Sequence, residues 1–276
     1  EVTYMIDGVQ VDETFGGSSA AVEIQPEAVQ DLEVITGTFN AEYGRAMSGV
    51  VNVVTRDGGP KFEGSASAGL SFFQTANTDI FIGLSPDLNR SQDLKFSLGG
   101  PLLGDKVTFF TNVRVQDNKG HLNGHRIFTV TDISNFYSDD SLEWTSSKSG
   151  DSSYVPMNTG ENFSGLLKLS FKLFDGIRFS FLGSLSDDSW FGYDHGFKYN
   201  PDGRAGSYKE TGYLSFQLNH MINPKLFYEL KVSYLDNYTG NYLFKDPLDY
   251  SIDEVGDTVY SYIHDKYLEN YGSGFF

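Results

Sequence analysis

The chain has 276 residues with 37 acidic and 20 basic side chains, a net charge of -17 and no cysteine. This charge argues against nucleic-acid binding, which needs clustered positive surface, and the lack of cysteine excludes disulfides and thiolate metal sites. Thirty glycines, 23 phenylalanines and 17 tyrosines, with a mean hydropathy of -0.31, favour a β-rich protein, and no apolar run is long enough for a transmembrane helix.

The first residues run directly into strand-like sequence. Neither the charged region nor the apolar region of a signal peptide is visible after Glu1. We therefore expect this sequence to be a piece of a longer protein.

Residues 37–55 (GTFNAEYGRAMSGVVNVVT) are the most informative stretch. The β-branched run at residues 50–55 predicts a short strand buried on both faces. Gly44 and Gly49 allow backbone conformations that a side chain would block. Arg45 is a charge close to apolar segments, where a buried charge is tolerated only when it is paired, so we expect an acidic partner to face it.

This stretch resembles the end of the plug domain of TonB-dependent outer-membrane receptors. In that family a Tyr-Gly turn precedes small residues, a glycine and a valine-rich strand. Residues 4–11 (YMIDGVQV) resemble the family's strand with its Asp-Gly turn, and residues 24–34 resemble its Pro-initiated helix followed by a strand. Residues 98–111 resemble the second and third barrel strands. The sequence AEYGRAMSGVVNVVT resembles the Oar-like branch, which often carries a carboxypeptidase-regulatory-like N-terminal domain, more closely than the SusC-like glycan importers.

From residue 61 onward, segments of roughly ten residues alternate apolar and polar side chains, as transmembrane barrel strands do. In the fourth segment, Phe163 and Leu167 share one face while Ser164 and Lys168 share the other. This is the pattern of a strand with one face toward lipid and the other toward an aqueous interior. About seven strands are predicted in this way, at residues 62–73, 93–102, 106–117, 162–173, 177–186, 208–222 and 225–238.

The connections between these strands also alternate. Tight turns follow the second, fourth and sixth strands, whereas residues 74–92, 118–161 and 187–207 form long polar connections. Short turns on one side and long loops on the other are typical of an outer-membrane barrel whose long loops are extracellular.

The predicted fold class is therefore a β-rich fragment of a plugged antiparallel transmembrane barrel. We assign residues 1–60 to the C-terminal part of an α+β plug domain and residues 61–276 to the N-terminal part of the barrel. The resemblance implies about 22 strands in the intact barrel. Seven strands cannot close it, and both edges would leave backbone groups unpaired in lipid.

No motif predicts catalysis, a cofactor or a metal. His121 and His125 have metal-pair spacing but lie in a predicted loop with Gly and Asn. Residues 99–106 (GGPLLGDK) superficially resemble a phosphate loop, yet Asp105 replaces the lysine and a periplasmic turn is the better interpretation. Asp187 and Asp188 more plausibly solvate a loop than form a catalytic pair. The acidic segment 246–269 leaves two interpretations open, a calcium or cationic-ligand site and a simple solvated surface.

The resemblance supplies the candidate site. It implies that the plug turn is formed by Asp7 and Gly8. The plug motif and a latch between plug and barrel are assigned to Glu42, Tyr43, Gly44, Arg45, Gly49 and Asn52. Arg45, with Glu42, is predicted to join an ion network with acidic residues of the inner barrel wall. The alternative is a surface arginine beside a turn.

The resemblance also implies a function, which is active import of a scarce or bulky nutrient across the bacterial outer membrane. The expected energy source is the TonB-ExbB-ExbD complex, acting through an N-terminal segment outside this sequence, and the expected cargo is a small molecule, a glycan or a peptide. Outer-membrane lipid would surround the barrel. Two alternatives stay open at this point, an adhesion or secretion-associated barrel without uptake and a soluble β-rich binding domain.

Overall fold

The structure, a computed structural model, describes residues 2–11, 21–36, 49–132, 134–245, 250–252 and 258–260. Within these ranges no helix has the length and apolar character needed to cross a membrane. Nearly all regular structure in them is β-strand, with four single turns of 3-10 helix.

The first 55 residues contribute a four-stranded sheet. Its strands are β1 (Val2–Ile6), β2 (Val9–Gln10), β3 (Val29–Ile35) and β4 (Gly49–Thr55), in the order β2-β1-β4-β3. β1 runs parallel to β4, and β3 runs antiparallel to it. The helix predicted before β3 is only one 3-10 turn, Pro26–Ala28, because the extended strand already begins at Val29.

The prediction that β4 is buried on both faces holds only at its ends. Val50 and Thr55 are fully buried, whereas the four residues between them are partly exposed. Among the residues that the structure describes, none covers the middle of β4 completely.

Eleven further strands follow before residue 245. They are β5 (Glu63–Ser71), β6 (Ser91–Leu103), β7 (Val107–Asn118), β8 (Asn123–His125), β9 (Ser134–Asn135), β10 (Thr145–Ser146), β11 (Tyr154–Pro156), β12 (Thr159–Phe174), β13 (Ile177–Phe191), β14 (Gly206–Asn223) and β15 (Leu226–Tyr242). A last pair, β16 (Tyr250–Ile252) and β17 (Thr258–Tyr260), forms a separate ribbon.

Seven of these strands form one antiparallel sheet in the order β5-β6-β7-β12-β13-β14-β15. The predicted number of barrel strands is therefore confirmed, and the sheet is open at both edges in the described chain. The largest difference in bounds is at β13, which extends to Phe191 because residues 187–190 continue the ladder with β14. Asp187 and Asp188 thus lie in a strand, and their predicted placement in a loop is wrong.

The two faces of the seven-stranded sheet have different environments. We call the face that packs on the four-stranded sheet the contact face and the other the outer face. On β12, Phe163 and Leu167 are exposed on the outer face, whereas Ser164, Leu166 and Lys168 are buried on the contact face. The contact face is therefore covered by protein at these positions and is not exposed to solvent there.

One apolar core joins the two sheets. The four-stranded sheet and its connections contribute Ile6, Val11, Val22 and Ala28, and the contact face contributes Phe110, Leu166, Leu182 and Tyr213. Leu166 and Leu182 interrupt the polar side of the predicted alternation because they pack against this partner.

Candidate functional site between the two sheets

The turn between β1 and β2 is tied to the end of β4. Asp7 and Gly8 have φ values of 49° and 75°, which suits the Asp-Gly pair of a tight hairpin. The Asp7 carboxylate accepts hydrogen bonds from the Thr55 amide (2.8 Å) and the Thr55 hydroxyl (2.6 Å). The Gly8 amide donates to Asn52 Oδ1 at 2.9 Å. The carboxylate is thus held at the point where β4 ends.

Lys168 of β12 reaches this turn from the contact face. Its side chain is 7% exposed, and its Nζ lies 3.2 Å from Asp7 Oδ2, 3.3 Å from Asp57 Oδ1 and 3.2 Å from the carbonyl oxygen of Thr55. A buried ammonium needs such acceptors for its three protons. We call Lys168, Asp7, Thr55 and Asp57 the Lys168 cluster, and it fastens the four-stranded sheet to the seven-stranded one.

A second polar contact lies on β6 and β7. The Arg114 guanidinium binds both carboxylate oxygens of Asp93, at 2.8 and 3.0 Å, and donates to Gln25 Oε1 at 3.1 Å. Lys95 Nζ lies 3.0 Å from Glu27 Oε1. The pKa of Glu27 is lowered from its ordinary value, first by a hydrogen bond to its own backbone and then by the Lys95 side chain. We call these five residues the Arg114 cluster.

The segment that leads from β4 into β5 lies so close to the contact face that a side chain would not fit at Gly58. A Cβ added at Gly58 would lie 2.2 Å from the carbonyl oxygen of Phe109, which real Cβ atoms essentially never show. The Ser170 hydroxyl donates to Asp57 Oδ1 at 2.6 Å. The chain after β4 is therefore held closely against β7 and β12.

Two further residues of the predicted site, Gly49 and Asn52, lie on β4 close to this contact. Gly49 begins β4 opposite Val2, and Asn52 connects Gly8 with Glu33, whose Oε2 accepts from Asn52 Nδ2 at 2.9 Å. Glu42, Tyr43, Gly44 and Arg45 lie outside the described residues, so the Arg45 latch stays a prediction.

Sequence reasoning missed the residues that join the two sheets. Lys168 was visible as a polar residue on one side of a predicted strand, but Lys95, Arg114 and Asp57 were not singled out. Between the two sheets, the ion pairs that the structure describes place the cation on the seven-stranded sheet and the carboxylate on the first 60 residues. This polarity is opposite to that of the predicted Arg45 latch.

The long connections after β5, β7 and β13 pack on one another at the end of the sheet remote from the tight turns. His121 contacts the Phe73 and Phe81 rings, and His125 stacks on Tyr154 with ring centroids 5.0 Å apart. No group of three or more His, Cys, Asp or Glu side chains in the described ranges could hold a metal ion.

Arg126 joins two of these connections through carboxylates. Its guanidinium contacts Asp202 at 2.5 Å and Asp151 at 3.1 Å. The pKa of Arg126 is raised, first by the hydrogen bond to Asp202. The connection between β7 and β12 is thereby fastened to the one between β13 and β14.

Comparison with known proteins identifies what this architecture is similar to. Residues 1–51 match the TonB-dependent Receptor Plug Domain family. The TonB-dependent transporter Oar of Myxococcus xanthus is 31% identical over 153 aligned residues, which cover 47% of this chain and 14% of that protein. The predicted resemblance to the Oar-like branch is thus confirmed.

Solved structures agree on the fold. The siderophore receptor PirA of Pseudomonas aeruginosa matches 87% of this chain and 33% of its own, with a TM-score of 0.53 and 15% identity. The ferric-catecholate import receptor Fiu of E. coli K12 matches 87% of this chain and 32% of its own, with a TM-score of 0.53 and 11% identity. The chain spans about a third of these receptors, and it resembles a segment of a TonB-dependent receptor in which plug sequence precedes an unclosed barrel.

Proposed function

We propose that this chain belongs to an outer-membrane receptor that actively imports a scarce or bulky nutrient. Residues 1–60 act as the C-terminal part of the plug, and residues 61–276 form the first part of the barrel, with tight turns in the periplasm and long loops outside. The observation that carries this proposal is the Lys168 cluster, which fastens the four-stranded sheet to the contact face. A plug must be held in this way to close a lumen against leakage.

The fastening also suggests which part of the plug moves. The chain after β4 is fixed by Gly58 against Phe109 and by Asp57 against Ser170. β1 lies upstream of this anchor and is paired in parallel with β4 from Val2 to Ile6. A pull on the N-terminal side of Val2 therefore acts on β1 first, and the contacts of the Asp7 carboxylate with Thr55 and Lys168 resist its removal at the C-terminal end of the strand.

In this mechanism no covalent chemistry is needed. The TonB-ExbB-ExbD complex supplies the pull, and the cargo is a small molecule, a glycan or a peptide captured on the extracellular side. Cargo binding favours opening only through a difference in affinity between the closed and opened plug. Removal of β1 breaks its ladder with β4 and the Asp7 contacts, while the seven-stranded sheet keeps its pairing.

Engineered disulfides in the full-length receptor test the proposal. The 276-residue sequence has no cysteine that could interfere. Asp7→Cys with Thr55→Cys joins two side chains whose oxygens lie 2.6 Å apart, and it locks β1 to β4. Asp57→Cys with Ser170→Cys fixes only the segment that is already anchored. Ser65→Cys with Ser97→Cys, whose hydroxyls lie 2.8 Å apart on neighbouring wall strands, is the matched control.

The readout is depletion of nutrients from conditioned medium, measured by mass spectrometry in the native host with and without functional TonB. We expect the depletion to require TonB. The 7–55 variant lacks the Asp7 carboxylate in both redox states, so the comparison is between its oxidised form, which we expect to be blocked, and its reduced form, which we expect to be active; the 57–170 and 65–97 variants should show no such difference between their two forms. Depletion that never depends on both receptor and TonB would refute import. A functional oxidised 7–55 pair would refute the removal of β1.

A further inference from the structure

An exposed apolar tip lies on the long connection between β7 and β12. The hairpin β9–β10 carries four large apolar side chains that are exposed, Phe136, Tyr137, Leu142 and Trp144, and Leu142 is 90% exposed. The Phe136 and Trp144 rings meet edge to face at 5.5 Å. Exposed apolar side chains gathered on one loop, away from the outer face of the barrel strands, mark a docking surface. We call residues 136–144 the loop tip.

Internal hydrogen bonds hold the loop tip in shape. The Ser138 hydroxyl donates to Glu143 Oε2 at 2.6 Å, Trp144 Nε1 donates to the Ser138 carbonyl at 2.8 Å, and the Leu142 amide donates to Asp140 Oδ1 at 2.9 Å. At the base, Asp132 accepts from the amides of Thr129 and Ser149. The loop that carries the apolar side chains is therefore preorganised, which lowers the conformational entropy lost when a partner binds.

The charge around these side chains has one sign. Residues 127–147 contain Asp132, Asp139, Asp140 and Glu143 and no Lys, Arg or His; Arg126 and Lys148 flank this range, and Arg126 is already paired with Asp151 and Asp202. Asp139 makes no hydrogen bond or ion pair among the residues that the structure describes, so its charge is available to a partner. Such a rim attracts cations and repels phosphate and carboxylate groups.

We propose that the loop tip captures a polypeptide segment that carries both basic and apolar side chains. The apolar side chains enter between the exposed aromatic rings and Leu142, and the basic side chains meet the acidic rim. A phosphate-bearing lipid surface would be repelled by the rim, and a second copy of this chain would bring like charges together. The inference rests on the proposed function only for the placement of the tip outside the cell.

Equilibrium binding to the full-length receptor in detergent tests this assignment. The probe is a fluorescent, amidated peptide of alternating lysine and leucine. A glutamate-leucine peptide, a lysine-serine peptide and a neutral oligosaccharide serve as comparison ligands. Leu142→Ala and Asp139→Asn remove one apolar and one charged group without touching the internal hydrogen bonds of the tip. Leu88→Ala and Asp79→Asn, exposed residues of the connection between β5 and β6, are the matched controls.

We expect the lysine-leucine peptide to bind more tightly than either comparison peptide. Leu142→Ala should weaken it by up to roughly 60-fold, because about three carbon groups that the bound peptide would bury are lost. Asp139→Asn should weaken it about twofold at low salt and not at high salt. The two control variants should bind as the parent does.

Three results would overturn the proposal. Equal binding by the parent and Leu142→Ala would place the peptide elsewhere, or would mean that another loop of the full receptor covers the tip. Equal binding of the glutamate-leucine peptide would remove the charge argument. Tip-dependent binding of the oligosaccharide in place of the peptide would make the partner a glycan. Because this assay needs no TonB, a failure of the import test would leave its result unaffected.

Discussion

Replacing Lys168 by methionine should release the plug from the barrel wall without unfolding the wall. Methionine keeps the length and the apolar stem of lysine but cannot bind Asp7, Asp57 or the Thr55 carbonyl. The side chain of Asp7 is only 12% exposed, and that of Asp57 is 55% exposed. The two ion pairs therefore contribute very different amounts.

The expected magnitude follows from this burial. Breaking a buried ion pair by removing one partner costs about 3–5 kcal/mol, whereas an exposed pair contributes about 0–1 kcal/mol. Asp7 keeps both hydrogen bonds from Thr55, so its carboxylate is not left wholly unpaired. We expect a loss of roughly 2–3 kcal/mol in the docking of the plug, which raises the population of the released plug roughly 30- to 150-fold.

Hydrogen exchange on the full-length receptor in detergent measures this population. Amides of residues 2–11 should exchange faster in Lys168→Met, by up to that factor, because the released sheet also loses the core contacts of Ile6 and Val11 with the seven-stranded sheet, whereas amides of β13 and β14 should be unchanged. Lys119→Met is the matched control, because Lys119 pairs with Asp117 at 3.9 Å within the seven-stranded sheet and its following connection. Equal exchange of residues 2–11 in both variants would refute the fastening role of Lys168.

Three further predictions concern the segment after β4, the predicted Arg45 latch and the Arg114 cluster. Gly58→Ala should displace the segment after β4 and speed exchange there, because its Cβ would meet the Phe109 backbone at 2.2 Å, whereas Gly59→Ala meets nothing closer than 3.8 Å and should not. Arg45→Ala in the full receptor should make cells more permeable to bulky antibiotics, and unchanged permeability would contradict the predicted latch. The lowered pKa of Glu27 means that its stabilising charge is complete above the ordinary value of 4.5 and is lost as the pH falls below it, through the folded-state pKa. Protection of residues 21–28 against exchange should therefore decline only at acid pH, and less steeply in Glu27→Gln.

The strands could be predicted because each side chain of a barrel strand must face either lipid or the interior. That constraint gives a period of two, and it places all seven strands of the sheet. It fails where the environment changes along a strand. β13 continues through Asp187 and Asp188, where both faces are polar, and Leu166 and Leu182 lie on the contact face because the four-stranded sheet and its connections cover them.

The site was less predictable because its members are distant in sequence. Lys168 and Thr55 are 113 residues apart, and only the register between β12 and the plug brings them together. The sequence does predict that a cation on the interior side of a barrel strand needs a partner, but it does not identify that partner. In a chain with 37 acidic and 20 basic side chains, a cation is the less common charge, and three cations of the contact face bond to the first 60 residues. Lys168, Lys95 and Arg114 are therefore stronger indicators of plug contact than any acidic residue of the wall.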